Sequence, residues 1–137
     1  MGFLTKLKIF SKSTKLFKNW YVYPLVYFKL TKKEHVIFET KTGLNIKIRV
    51  NSTDLMALTH VWMIQEYSNS EFDINDSDIV IDIGAHIGLF ALFASQFCKQ
   101  GKIFCFEPIK ENYELLVENI NSNKIKNIIP FNFAVSK

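Results

Sequence analysis

The stretch that decides the fold is VIDIGAHIG, Val80–Gly88, together with the later FEP of Phe106–Pro108. VIDIGAHIG opens with a continuous apolar run, which is typical of a strand buried on both faces of a parallel sheet. A glycine turn directly after such a strand lets a ligand approach the backbone, because no Cβ stands in the way. The stretch therefore predicts the nucleotide-binding turn of a doubly wound α/β domain.

Helical and strand-like segments alternate after this turn. The pattern predicts a helix over 87–99, a strand over 102–106, a helix over 110–122 and a strand over 127–133. Strands that alternate with helices of this length imply a parallel sheet with right-handed crossovers. The sequence stops at Lys137, so we expect a Rossmann-like fold that is truncated after its third parallel strand.

The sequence before the α/β region divides into two segments. We interpret residues 1–33 as a basic helical extension, residues 34–70 as a β-hairpin plus helix, and residues 71–137 as the first half of the Rossmann-like domain. The hairpin is predicted from β-prone runs at 36–39 and 44–50, joined by a turn with a glycine, and the helix is predicted over 54–67. The expected order is thus an N-terminal helix, a hairpin and then the α/β core.

The net charge of +4 conceals two opposite regions. Residues 1–33 carry eight lysines and no acid, whereas residues 34–137 carry nine bases and thirteen acids. Apolar residues recur at helical spacing over 3–20, which predicts an amphipathic helix. Two interpretations stay open: a weak contact of residues 1–33 with a membrane surface or an anionic partner, or packing of the aromatic stripe onto the body of the protein, which we favour. Nucleic-acid binding is a minor alternative, because the segment has no arginine and no recognised motif.

Composition also bears on the compartment. The only cysteines, Cys98 and Cys105, lie among apolar neighbours, and no spaced histidine completes a metal site with them, so we interpret them as reduced core residues. The longest apolar run, 20–28, is too short to cross a bilayer and is broken by Pro24. No secretory cleavage pattern follows it. These features predict a cytoplasmic protein without a metal centre.

Two acidic residues stand at the ends of the first two strands of the α/β region. Asp82 ends the first, beside Gly84 and Gly88 of the turn. Glu107 ends the second, nineteen positions after Gly88, where a carboxylate can accept hydrogen bonds from both hydroxyls of a ribose. Alternatives stay open: Gly84 as an ordinary turn glycine, Glu107 as a cap of the helix that begins near residue 110, and His86 as either a ligand contact or a loop filler.

The spacing of the glycines argues against a dinucleotide. An NAD-type fingerprint has glycine at its first, third and sixth positions, and here, counted from Gly84, those positions hold Gly84, His86 and Leu89. The cradle for a pyrophosphate is therefore missing. A ligand that has a ribose but no pyrophosphate fits better, and S-adenosyl-L-methionine is such a ligand.

At this point the sequence resembles the FkbM family of S-adenosylmethionine-dependent methyltransferases. The resemblance covers about residues 71–137 and rests on the order of GA-x-IG, FEP, an L-x-x-N-type helix end and N-x-A-V-S. It implies methyl transfer to a hydroxyl of a sugar or natural product, so that the partner is a small-molecule or glycan acceptor and not a nucleic acid. It also implies that Glu107 holds the cofactor ribose and that the methionine part is lined by Asp82, Gly84, Ala85, His86 and Gly88.

The sequence departs from the FkbM pattern in two ways. His86 stands where many members have asparagine, and the later acidic D-x-E-G-x-E segment does not occur in these 137 residues. The resemblance therefore names no catalytic residue. Two alternatives to an enzyme of this family stay open: a non-catalytic binding or interaction remnant of such a domain, and a nucleotide-dependent oxidoreductase.

Overall fold

The chain folds as two compact units, residues 1–66 and 67–137. The computed structural model describes residues 2–64 and 73–135. The predicted domain limits at 33/34 and 70/71 stay a prediction, and the second of them lies outside the described residues.

The first unit combines helices with a β-hairpin. Its elements are α1 (Phe3–Leu16), α2 (Val22–Tyr27), β1 (His35–Glu39), β2 (Asn45–Arg49), α3 (Asp54–Leu58) and a π-helical segment (Thr59–Ile64). β1 and β2 pair antiparallel, as the sequence predicts. The predicted helix 3–20 ends early, because Phe17 forms a β-bridge with Thr40. The last three residues of the predicted helix 54–67 lie outside the described part of the chain.

Aromatic side chains fill the core of this unit. The rings of Phe17 and Phe38 lie 4.9 Å apart and both side chains are fully buried. Ile9 and Ser13 of α1 are buried one turn apart, and Phe17 is buried directly after the helix ends. Of the predicted stripe, Phe17 is buried, whereas Leu7 and Trp20 are 50 and 46% exposed, so the packing of this stripe onto the body of the protein stays a prediction.

A buried ion pair joins the hairpin to α3. The Asp54 carboxylate is fully buried and accepts hydrogen bonds from Nε and Nη2 of Arg49, at 2.9 and 2.8 Å. Charge-assisted bonds of this kind offset the cost of burying a carboxylate. The pair thus fixes the end of β2 against the start of the helix.

The second unit is the predicted β-α-β-α-β arrangement. It comprises β3 (Ile79–Ile83), α4 (Leu89–Ala94), β4 (Lys102–Phe106), α5 (Lys110–Ser122) and β5 (Ile128–Phe131). The strands lie side by side in the order β3-β4-β5, and both pairs are parallel. The α/β fold class predicted from the sequence is therefore confirmed, although α4 is shorter than the predicted helix 87–99.

Burial in this sheet is concentrated on one face. Ile103 and Cys105 of β4 are fully buried. On the opposite face, Ile79, Ile81 and Ile83 are 72, 62 and 66% exposed. Successive side chains of a strand point to opposite faces, so a sheet covered on one face buries only alternate residues. The sequence predicts that β3 is buried on both faces, and this prediction is wrong for the described residues.

The two cysteines of the chain, Cys98 and Cys105, are both free and buried, as predicted. Burial raises the pKa of both thiols, so they stay in the neutral form. No helix among the described residues is long and apolar enough to cross a membrane. The cytoplasmic location stays a prediction.

Candidate functional site

The glycine turn after β3 is held against the end of β4. The backbone N–H groups of Gly84 and Ala85 both donate to the carbonyl oxygen of Phe106, at 2.8 and 3.0 Å. The N–H of Gly88 donates back to the carbonyl oxygen of Ala85, at 2.8 Å. The turn is therefore a closed loop at the carboxyl edge of the parallel sheet, which is where doubly wound folds bind their ligands.

Glu107 organises this loop from the end of β4. Its side chain is only 4% exposed. Oε2 accepts a hydrogen bond from the N–H of His86 at 2.7 Å, and Oε1 accepts one from the N–H of Ile109 at 2.9 Å, just before α5. The contact with Ile109 resembles the helix cap that the sequence left open. A carboxylate has about four lone-pair positions, so these bonds leave Glu107 able to accept more.

Asp82 lies beside Glu107 and is the less satisfied of the two carboxyl groups. Its Oδ2 atom is buried and has no hydrogen-bond partner in the described part of the chain. Burial, and then the neighbouring charge of Glu107, raise the pKa of Asp82 to about 6. A buried acceptor without a partner is rare in folded proteins and costs free energy, so it needs an explanation such as a ligand or a bound water.

The two glycines of the turn serve different purposes. Gly84 has a φ of +75°, and no atom lies within 4 Å of the place where a Cβ would be. Gly88 has a φ of +86°, but a Cβ there would lie 2.5 Å from Cδ1 of Leu116. Gly84 therefore leaves open space above the loop, whereas Gly88 allows the close approach of α5.

The remaining predicted residues belong to the same loop. Ala85 is buried and His86 is half-buried. His86 has a φ of +53°, a left-handed conformation that is uncommon for residues other than glycine. Its backbone N–H is the group that Glu107 holds. The structure thus places all six predicted residues at one edge of the sheet, and their roles toward a ligand stay a prediction.

Asparagines on α5 support the loop, and the sequence reasoning missed them. The buried Asn119 amide donates to the carbonyl oxygen of Ile87 at 3.0 Å, and Asn112 lies 3.5 Å from Oε1 of Glu107. A signal for them existed. Asn112 and Asn119 continue the helical spacing of the buried Leu115 and Leu116, so two amides occupy positions on the apolar face of the helix.

The geometry fits a nucleoside ligand better than a metal ion. Asp82 Oδ2 is a buried acceptor without a partner among the described residues, and Gly84, two positions further along, has open space where a Cβ would be. No group of three or more His, Cys, Asp or Glu residues within 2–64 and 73–135 could hold a metal. A parallel sheet, a glycine loop without a pyrophosphate cradle and a carboxylate at the end of the next strand define the cofactor half of a Rossmann-like methyltransferase domain.

Comparison with known families identifies the particular family. The model described as the TRM5/TYW2 methyltransferase domain matches residues 29–136, so the chain belongs to this family. The methyltransferase class and the S-adenosylmethionine cofactor predicted from the sequence are thereby confirmed. Among curated proteins, the chain is similar to the tRNA(Phe) (4-demethylwyosine(37)-C(7)) aminocarboxypropyltransferase of Methanocaldococcus jannaschii, with 33% identity over 67 residues. The match covers 49% of this chain and 27% of that relative.

Solved structures show the same fold. M. jannaschii TYW2 in complex with AdoMet superposes with a TM-score of 0.53 at 24% identity, covering 74% of this chain and 44% of that one. The M. jannaschii tRNA m1G37 methyltransferase gives a TM-score of 0.50 at 22% identity, over 74% of this chain and 30% of that one. At these identities the likeness establishes the fold alone.

The comparisons correct two predictions. The FkbM assignment is wrong, because the TRM5/TYW2 model matches most of the chain, including the motifs on which the resemblance rested. The GA-x-IG and FEP motifs form the loop and strand end on the cofactor side, and these parts do not depend on the acceptor. The predicted small-molecule or glycan partner, with no nucleic acid, is wrong as well, because the relatives are named as enzymes of tRNA.

Proposed function

We propose that this chain forms the S-adenosylmethionine-binding part of a transferase that modifies tRNA. The single observation that carries the proposal is the buried Oδ2 of Asp82, which has no partner among the described residues, at the end of the strand that leads into the Gly84 turn. Membership of the TRM5/TYW2 family and the names of the similar proteins support the cofactor and the substrate class. The chain spans 27% of the length of the curated relative, so the activity belongs to the proposal as well.

In this proposal the two carboxylates bind the cofactor and do not act as bases. Glu107 accepts hydrogen bonds from the ribose hydroxyls with the lone pairs that His86 and Ile109 leave free. Asp82 uses its unpartnered oxygen to accept a donor of the cofactor, which removes the cost of burying that oxygen unpaired. Gly84 allows the ligand to approach the backbone. S-adenosylmethionine supplies an activated carbon on its sulfonium, and the protein contributes alignment of donor and acceptor.

Two groups of the cofactor can be transferred, and we take methyl transfer as the first candidate because the family is described as a methyltransferase domain. Aminocarboxypropyl transfer is the second, since the curated relative carries that name. The chain is incubated with an unmodified tRNA(Phe) transcript and, separately, with tRNA(Phe) that carries 4-demethylwyosine at position 37. In each case the cofactor is labelled either in the methyl carbon or in the carboxyl carbon. Methyl label in the tRNA supports the first candidate, and carboxyl label supports the second.

Cofactor binding is tested by calorimetry on the 137-residue chain. We expect S-adenosylmethionine to bind the unmodified chain and Glu107→Ala to weaken binding at least about tenfold, because a charged acceptor contributes roughly 1.5–3 kcal/mol. The matched control is Glu111→Ala, an exposed glutamate of α5. Affinity that is unchanged in Glu107→Ala would remove the ribose assignment. Failure of the unmodified chain to bind would contradict the proposed function itself.

A further inference from the structure

The two units of the chain differ in charge. Residues 1–66 carry eleven lysines and arginines against four acids, whereas residues 67–137 carry six against nine. Every acid of the first unit follows residue 33, and one of them, Asp54, is fully buried against Arg49. Residues 1–33, which include α1 and carry eight of these lysines and no acid, therefore attract anions.

Three of the four lysines of α1 lie on one exposed face of the helix, and the fourth, Lys6, lies over the ring of Tyr27. Lys8, Lys12 and Lys15 follow one another at steps of four and three residues, so they share one face, and all three are exposed. The buried residues of α1, Ile9 and Ser13, lie on another face. We call Lys8, Lys12 and Lys15 the lysine face.

Exposed aromatic rings belong to the same basic segment. Trp20, Tyr21 and Phe28 are about half exposed, at 46, 56 and 58%. Trp20 and Phe28 line a groove with Leu7 and Thr14 of α1. Exposed aromatic side chains stack on unpaired bases, and lysines of the same segment bind phosphates. A helix that lies in a lipid surface needs a continuous apolar face that is free. Leu4 and Leu7 of α1 are exposed, at 74 and 50%, but they share their face with the exposed polar residues Ser11 and Thr14, so this face is not continuously apolar.

We propose that the lysine face binds the phosphate backbone of an RNA. The inference rests on the proposed function, which supplies tRNA as the ligand. It adds to that function because α1 lies before residues 29–136, the part of the chain that matches the family. Binding here is electrostatic and independent of base sequence, since lysine contacts to phosphates carry no sequence information. The lysine face thus holds the tRNA while the second unit holds the cofactor.

The test measures binding of an unmodified tRNA transcript to the full chain by fluorescence anisotropy at several salt concentrations. The variant Lys8→Gln/Lys15→Gln removes two exposed charges and leaves Lys12, whose ammonium donates to the carbonyl oxygen of Met63. The control variant Lys102→Gln/Lys126→Gln removes two exposed charges from the second unit. We expect the first variant to bind the transcript about tenfold more weakly than the unmodified chain. We also expect the slope of log K against log salt concentration to become shallower by roughly 1.4 to 1.8. The control variant should change the affinity and the slope by no more than about half as much.

Each other outcome overturns the inference. It is overturned if the two variants lose equal affinity, or if the unmodified chain does not bind the transcript at low salt. It is also overturned if vesicles of phosphatidylglycerol displace the transcript from the unmodified chain but not from Lys8→Gln/Lys15→Gln, since the lysine face then binds lipid. The same variants are checked for folding by circular dichroism and for S-adenosylmethionine binding by calorimetry. Cofactor binding does not depend on the lysine face, so both variants should bind the cofactor as the unmodified chain does. A failure of this inference can therefore be told apart from a failure of the proposed function.

Discussion

At the scale of single residues, the carboxyl of Asp82 has the environment that most affects function. Burial and the charge of Glu107 raise its pKa to about 6, and its Oδ2 has no partner in the described residues. The sequence alone predicted that Asp82 stands at the end of a strand, next to a glycine turn. The lack of a partner for Oδ2 was not evident, because it depends on which donors other elements bring close. The N–H groups of His86 and Ile109 donate to the neighbouring Glu107.

The raised pKa of Asp82 predicts a pH-dependent stability without cofactor. The folded-state pKa lies above the unfolded one, so the folded chain binds the extra proton and Asp82 stabilises the fold only at low pH. This contribution is complete below about pH 4 and is lost as the pH rises through about 6, a change of about 2 to 3 kcal/mol. Asp82→Asn does not titrate, so its stability relative to the unmodified chain should rise by that amount between pH 4 and pH 7, as measured by urea unfolding.

The control for this prediction is Asp73→Asn, which replaces an exposed aspartate of the same unit. Its stability difference from the unmodified chain should stay constant within about 0.5 kcal/mol over the same range. If the difference for Asp82→Asn is equally flat, Asp82 is ionised normally in the folded chain and its role as an unsatisfied acceptor is wrong.

At the scale of elements, the loop after β3 and helix α5 depend on each other. Gly88 lets Leu116 pack against the turn, Asn119 holds the carbonyl of Ile87, and Glu107 holds the N–H of His86. The sequence placed the glycine and the strand end correctly. It attributed Gly88 to ligand approach, whereas the structure places a leucine of α5 in the space that the missing Cβ leaves, and sequence spacing alone does not show which neighbour occupies that space.

Gly88→Ala is therefore expected to destabilise the second unit more than Gly84→Ala. Both substitutions put alanine at a positive φ, which costs about 1 kcal/mol. Only at Gly88 does the new methyl overlap Leu116, which adds roughly 1 to 3 kcal/mol. The measurement is urea unfolding of both variants. In the double variant Gly88→Ala/Leu116→Ala the overlap is gone, so its cost should be smaller than the sum of the two single costs. Strict additivity would show that Leu116 does not occupy this space.

At the scale of the whole molecule, the sheet of the second unit is covered on one face and open on the other within the described residues. Ile79, Ile81 and Ile83 line the open face, and the rings of Phe104, Phe106 and Phe131 stack on one another in the neighbouring strands. Such an apolar area exceeds what isolated surface residues contribute and is typical of a surface that other protein covers.

Because one face of the sheet is open, we expect the same substitution of isoleucine by threonine to change the free energy of unfolding by different amounts in β3 and β4. Ile81→Thr removes an exposed side chain and should alter the free energy of unfolding by less than about 0.5 kcal/mol. Ile103→Thr puts a hydroxyl into a fully buried position and should cost about 2 to 4 kcal/mol. Both are measured by urea unfolding of the 137-residue chain. A cost at Ile81 equal to that at Ile103 would show that the face is covered in solution.

The sequence by itself determined the α/β class, the succession of strands and helices in the second unit, the cofactor and the cluster of residues around Gly84, because strand periodicity, glycine and a strand-end carboxylate are local features. It did not determine the family, since the cofactor loop is shared by enzymes with different acceptors. Only the tertiary structure decided that Glu107 holds the loop, that Asp82 keeps an oxygen without a partner among the described residues, and that Lys8, Lys12 and Lys15 of α1 are exposed. These depend on which distant residues meet, and packing across elements sets that, not spacing along the chain.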